Sequence, residues 1–225
     1  MSDVNNVRSR ENVIETASQG AGGPAWHLRK ALLCLLLLPG CARLFGWDIH
    51  APGLLSQNFY TQVAPSKIRV GLYITPRLRN YISTDKGTRF SDPQNYHIGE
   101  ALTPLLVEGF QQAFEEFIYL EVEPTPEILR QYAIPYFVAV DLGKFHNYKT
   151  MKGQAVVYET EDGIFDTNMN LVSRFTAKGS SDAQKVFAKK GGPEVNLNAA
   201  LENNVIVTIQ YLQDFLNAHE GKTSV

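Results

Sequence analysis

Few residues in this chain have types that could do chemistry, and they are scattered. Beyond residue 41 the histidines are His50, His97, His146 and His219, and none of them fall at paired metal-ligand spacing. His97, His146 and Asp141 make a zinc or acid/base site only if the fold gathers them. Taken singly, His97 flanks a helix start, His146 sits on a solvated strand edge, and Asp141 closes an apolar strand as a solvated carboxylate. The chain has two cysteines, Cys34 and Cys41, so the body from Ala42 onward has no internal disulfide, cysteine nucleophile or thiolate metal site. Gly20 to Gly23 lies near the N-terminus and Gly191-Gly192 lacks a following Lys-Ser/Thr, so neither is a phosphate loop. No Gly-x-Ser-x-Gly elbow occurs. Lys185, Lys189 and Lys190 form a small basic cluster, a candidate partner surface for anionic headgroups or peptidoglycan. The same lysines also suit a solvated hairpin edge protected from aggregation. The expectation is a protein that is not an enzyme, with no catalytic residue, no metal and no cofactor.

Cys41 has a more definite context. His27-Leu28-Arg29-Lys30 precedes an apolar run from Ala31 to Leu38, and Pro39-Gly40-Cys41 ends it. A basic flank, a short apolar run and a small residue before a cut make a secretory signal. The run is too short to span a bilayer, which takes about 20 apolar residues. Leu38-Pro39-Gly40-Cys41 resembles the bacterial lipobox, Leu-x-Gly/Ala-Cys. That resemblance implies cleavage between Gly40 and Cys41, diacylglycerol on the Cys41 thiol, and acylation of the new amine by a palmitate-like chain. Several acyl chains anchor stably where one binds only marginally. Ala42, standing where an Asp would retain the protein in the inner membrane, implies the outer membrane, with the domain on its periplasmic face. The 26 residues ahead of His27 are long and polar for a signal peptide, which fits either an over-extended start or a long n-region.

Composition narrows the rest. The formal net charge is -2 and no basic run occurs, so nucleic acid is not an expected partner. With 44% hydrophobic and 11% aromatic residues, the chain is of the folding kind. Removing residues 1–40 leaves one domain's worth of chain, enough for a core without staples. Residues 41–66, with Pro52 and Pro65, read as an acylated N-terminus and a tether that packs partly on the domain through Trp47, Phe59 and Tyr60.

The elements follow from periodicity. Ile68, Val70, Leu72 and Ile74 alternate, predicting a strand over 67–75 that Pro76 ends. Leu78 to Ser83 extends it, and 84–95 is a polar loop. Ile98, Leu102, Leu105, Gly109 and Ala113 share a helical face with Leu106, Phe110 and Phe117. Pro104 suits a first turn capped by Thr103, so this helix starts at 103, or starts near 97 and kinks. Phe117 to Val122 is a strand, and Pro124 and Pro126 open a helical turn through Tyr132. Pro135 to Asp141 is a central strand running on toward Tyr148, and Gln154 to Glu159 is another strand. Phe165, Thr167, Met169, Leu171, Ser173 and Phe175 mark one face of a long strand. A turn at 178–181 leads to 184–190 pairing back as a hairpin. Leu201, Val205, Thr208, Leu212 and Phe215 line a final helix capped by Asn196 or Asn198.

This order predicts an α+β fold: a mixed, mostly antiparallel sheet with two main helices on one face. The expected organisation is a signal peptide over 1–40, a tether over 41–66, a sandwich domain over 67–217 and a flexible tail over 218–225. The stretch from Gly99 to Phe117, Gly-Glu-Ala-Leu-Thr-Pro-Leu-Leu-Val-Glu-Gly-Phe-Gln-Gln-Ala-Phe-Glu-Glu-Phe, resembles the helix before a strand in small envelope lipoproteins with an α/β sandwich. That group includes YajG-like lipoproteins and the lipoproteins of curli and Pel polysaccharide export. The resemblance implies a non-enzymatic assembly, scaffold or export role, with membrane lipid held through Cys41, an envelope protein partner and a homo-oligomer. Other readings are a barrel plug in lipopolysaccharide assembly, an activator of peptidoglycan synthases, and a periplasmic hydrolase.

Overall fold

The computed structural model describes residues 46–87, 92–150, 153–181 and 192–220. The sequence-predicted sites Gly40, Cys41, Lys185, Lys189 and Lys190 lie outside them, as does the hairpin arm expected at 184–190.

The elements in chain order are β1 (Trp47–Ile49), α1 (Gln57–Gln62), β2 (Ser66–Ile74), α2 (Pro76–Arg79), β3 (Ser83–Asp85), β4 (Gln94–Tyr96), α3 (Ile98–Ala113), β5 (Phe114–Leu120), α4 (Pro126–Gln131), β6 (Tyr136–Thr150), β7 (Gly153–Asp166), β8 (Leu171–Ser180) and α5 (Pro193–Glu220). The architecture is α+β, with two mixed sheets. The larger runs β5-β2-β6-β7-β8, and the smaller runs β1-β4-β3. β2 lies parallel to both β5 and β6, while β6, β7 and β8 form an antiparallel meander.

Connection handedness explains where the helices go. The chain leaves β2, crosses by α3 and pairs as β5 on one side. It then crosses by α4 to β6 on the other side of β2. Right-handed crossovers in opposite directions place their helices on opposite faces. Accordingly, Val70, Leu72, Ile74, Val138 and Val140 pack with α3 in the main core, whereas Phe137 and Leu120 pack with Leu129 of α4 in a smaller one. Period-two alternation in β2 and β6 supplies both faces. The final helix α5 joins α3 on the main-core face through Leu197, Leu201, Val205, Ile209, Leu212 and Leu216. β8 approaches it so closely that a Cβ on Gly179 would fall 2.0 Å from the Ala200 carbonyl oxygen. Among the described residues, no helix is long and apolar enough to cross a membrane.

The chain ahead of β2 is bound to this core. Ile49, Phe59 and Val63 are buried, while Trp47 and Tyr60 stay exposed. The polar side of α5 holds the segment along its length. Asn198 exchanges two hydrogen bonds with the Leu54 backbone, at 3.2 and 2.9 Å. Glu202 Oε1 accepts from the Ser56 amide and hydroxyl at 2.9 and 2.8 Å. Gln210 and Gln213 donate to the carbonyls of Gln62 and Ala64 at 3.1 and 2.8 Å. Gly53, at φ +62, lies on α3, where a Cβ would meet Pro104 Cγ at 2.9 Å. The folded unit therefore includes the segment from β1 onward.

Several local expectations are corrected. Of the strand extension expected over 78–83, Leu78 and Arg79 instead lie in a helical turn, which Thr75 caps by accepting from the Leu78 amide and Pro76 starts. The stretch 84–95 carries β3 and β4 of the small sheet at its ends. Of the two starts expected for α3, the structure has the one near 97: the helix begins at Ile98 with Pro104 inside it, so Thr103 is not its cap. The strand after it begins at Phe114, not Phe117. The apparent long strand through Phe165 and Phe175 is two strands. Asp166 accepts from the amides of Asn168 and Asn170 at 2.8 and 2.9 Å, and Met169 turns at φ +66. This Asx turn outweighs the alternation of Thr167 and Met169. α5 begins at Pro193, so neither Asn196 nor Asn198 caps it; buried Asn196 donates to the Gln154 carbonyl at 2.8 Å. Residues 218–220, expected in the tail, continue the helix.

Candidate functional site

His97, Asp141 and His146, the sequence candidates, each have different neighbours. Asp141, at the middle of β6, accepts from the Thr75 hydroxyl at 2.7 Å, the Leu142 amide at 2.7 Å and Arg77 Nη2 at 3.0 Å. Partial burial pushes its carboxyl up, but the Thr75 and Leu142 hydrogen bonds and the Arg77 charge outweigh it and hold the group below the ordinary carboxylate range. His146, further along β6, lies 6.1 Å from the Tyr148 ring, centroid to centroid.

His97 is the member with a convergent setting, and its partners come from the N-terminal segment. β1 pairs in parallel with β4, with Asp48 opposite Asn95 and Ile49 opposite Tyr96. This pairing sets His50, just past β1, beside His97, just past β4. The two imidazole rings stack with centroids 4.1 Å apart and planes 20° from parallel. Glu100, in the first turn of α3, faces both rings. Its Oε2 is 3.0 Å from His50 Nδ1 and 3.6 Å from His97 Nδ1. On the far side of the His97 ring, Nε2 lies 3.2 Å from Asp48 Oδ1, which also accepts from Asn95 Nδ2 at 3.1 Å. The hydrogen bonds from Asn95 and then from His97 hold the Asp48 carboxyl below its usual range. The His97 side chain is 20% exposed, against 51% for His50 and 63% for Glu100. A partly sheltered ring thus stands behind two solvent-facing groups.

Among the described residues, His50, His97 and Glu100 are the group of histidine, cysteine and acidic side chains whose ligand atoms converge, all within 4.8 Å of one another. The sequence reading missed it because the two histidines are 47 positions apart and become neighbours only through the β1–β4 pairing. One local signal was available. His97 occupies the N-cap position of α3, where Ser, Thr, Asp or Asn is usual, and its side chain makes no capping hydrogen bond.

No protein-family model matches the chain, and no curated protein matches it significantly. Solved structures that are distantly similar in fold include two bacterial proteins. One is the hypothetical protein CT253 from Chlamydia trachomatis, at 8% identity and TM-score 0.39, covering 69% of this chain and 97% of that one. The other is a neuraminyllactose-binding hemagglutinin homolog from Helicobacter pylori, at 10% identity and TM-score 0.36, covering 78% of this chain and 98% of that one.

A second polar cluster is closed to solvent. Asp162 of β7 is 1% exposed and accepts from the Thr208 hydroxyl of α5 at 3.0 Å. Asn204, one turn earlier on α5, donates to Thr160 Oγ1 at 3.2 Å and to the Ala177 carbonyl at 3.0 Å. Burial pushes the Asp162 carboxyl up to about 7, against the smaller opposing effect of hydrogen bonds from Thr208 and Thr160. Asp162 Oδ1, Asn204 Oδ1 and Tyr158 Oη have no hydrogen-bond partner.

An open cleft of about 580 Å³ lies between the start of β2 and the end of α4, lined by Lys67, Arg69, Glu116, Arg130 and Thr167 among others. Arg69 is committed within it, pairing with Glu116 and donating to the Tyr132 carbonyl at 3.2 Å.

Proposed function

We propose that this chain is a lipid-anchored protein of the bacterial cell envelope, held at the periplasmic face of the outer membrane. Its domain acts through its surface as a non-enzymatic assembly, scaffold or export component. The observation that carries the reading is Leu38-Pro39-Gly40-Cys41 behind a basic flank and an apolar run. The small number of residues between Cys41 and the folded unit fits it as well. β1 starts at Trp47, so the linker from Cys41 spans only about 20 Å at full extension, at roughly 3.3–3.6 Å per residue. Acyl chains on Cys41 would keep the folded unit close to the bilayer, not on a long leash. Membrane lipid is then the first partner. An envelope protein or a second copy of the chain is the next, and Lys185, Lys189 and Lys190 are the candidate contact on sequence grounds.

Cys41→Ser tests the anchor. Cells fed labelled fatty acid should acylate the wild type and not the variant, and the variant should accumulate as a longer precursor. Label on the variant at the wild-type level would overturn the reading. Cross-linking of the acylated protein in the membrane then tests the surface role through the protein it captures.

A further inference from the structure

We propose that His50, His97 and Glu100 bind a divalent transition-metal ion of the zinc class, with Asp48 positioning His97, and that the ion clamps the N-terminal segment to the head of α3. Distances support it first. Four-coordinate zinc with bonds of about 2.0–2.1 Å has ligand-to-ligand edges of roughly 3.3 Å. Glu100 Oε2 lies 3.0 and 3.6 Å from the two Nδ1 atoms, on either side of that edge. Because the two rings are stacked 4.1 Å apart and 20° from parallel, the solvent-exposed His50 ring turns about its side-chain torsions to bring its Nδ1 lone pair onto the ion, and the ion replaces the hydrogen bond between His50 and Glu100.

Orientation supports it next. A ligating imidazole needs one nitrogen free to coordinate, and it commonly donates from the other to a carboxylate. Asp48 at 3.2 Å takes the Nε2 proton of His97 and leaves the Nδ1 lone pair directed at Glu100. Asp48 is itself held by Asn95. His97 also forgoes a helix cap at a position where a shorter side chain would supply one.

The donor set selects the metal. Two imidazoles and a carboxylate suit zinc, copper, nickel or iron, whereas magnesium and calcium prefer oxygen donors throughout. The exposure of His50 and Glu100 leaves a position for water. The head of α3 carries roughly half a positive charge that opposes a cation. The carboxylates of Asp48 and Glu100 bring two full negative charges to the same place and outweigh it. Because Asp48 and His50 come from the segment at β1 and the other two from the start of α3, an ion here ties together parts of the chain that are otherwise joined by the small sheet.

The test uses the full chain in mild detergent, titrated with zinc or cobalt, with magnesium and calcium as controls. One equivalent of zinc should bind in calorimetry. At a hundredfold excess of free metal over Kd, the melting midpoint should rise by about 5–10 °C. Bound cobalt should show the visible absorption of a low-coordinate nitrogen and oxygen site. Asp48→Asn should weaken binding about 10–100-fold. His50→Ala and Glu100→Gln, both at solvent-facing positions, should abolish it, and His146→Ala should leave it unchanged. Absence of saturable zinc binding, an equal response to magnesium, or binding that survives His50→Ala combined with His97→Ala would overturn the proposal.

Discussion

At the head of α3, Asp48 and Glu100 stand with His50 and His97 in contact with solvent. Under α5, Asp162 stands with Thr160, Asn204 and Thr208 where the sheet and helix close over it. Both clusters bring a carboxylate to nitrogen and oxygen hydrogen-bond partners, yet the carboxyls of Asp48 and Asp162 move in opposite directions. At the surface, water still solvates the charge and each hydrogen bond to it is a net gain, so Asp48 is held low. In the interior the lost hydration exceeds what two hydroxyls return, so Asp162 rises to about 7. The exposed cluster keeps charge available to a ligand. The buried one trades charge for register, because Thr160 and Asp162 meet Asn204 and Thr208 at matching spacings of two along the strand and four along the helix.

The largest effect expected from breaking this contrast is in the interior. Asn204→Ala removes the donors to Ala177 and Thr160 and leaves a void beside β8. It should cost roughly 2–4 kcal/mol in urea unfolding. A loss below about 1 kcal/mol would mean that the cluster does not hold α5 to the sheet.

Asp162→Asn sharpens the comparison through pH. The folded carboxyl, at about 7, titrates above its unfolded value of about 3.9. The folded state therefore holds the proton more tightly. This contribution to stability is complete below about pH 4 and is lost as pH rises through about 7, with a slope of at most about 1.4 kcal/mol per pH unit. Denaturant midpoints measured from pH 4 to 8 should show the slope in the wild type and a flatter course in the variant. Parallel curves would show that Asp162 is not the titrating group.

The smallest effect belongs to the surface. Without metal, His50→Ala should change stability by less than about 1 kcal/mol, as exposed pairs do. The same substitution should cancel the stabilisation that zinc brings to the wild type.

Much of the fold was legible because strong periodicity dominates where one face is buried. Ile68, Val70, Leu72 and Ile74 spelled out β2, and the continuous run from Tyr136 marked β6 as central. The failures have local causes. Pro76 ended β2 as expected, but the helical turn it starts takes in Leu78 and Arg79, where the strand was expected to resume. Asp166 bent the chain where alternation appeared to continue. Asn196 and Asn198 read as helix caps, but together with Glu202 they are groups that satisfy the backbone at Gln154, Leu54 and Ser56.

By itself the sequence determined the α+β class, the two principal amphipathic helices and the expectation of a lipid anchor at Cys41. Each of these depends on residues close together in the chain. Only the tertiary structure decided that the chain from Trp47 to Val63 belongs to the domain, that α3 and α4 take opposite faces of the sheet, and that His97 meets His50 and Glu100 and not Asp141 and His146. Those outcomes depend on parallel strand pairing and crossover handedness. Both join segments too far apart in the chain for local periodicity to reach.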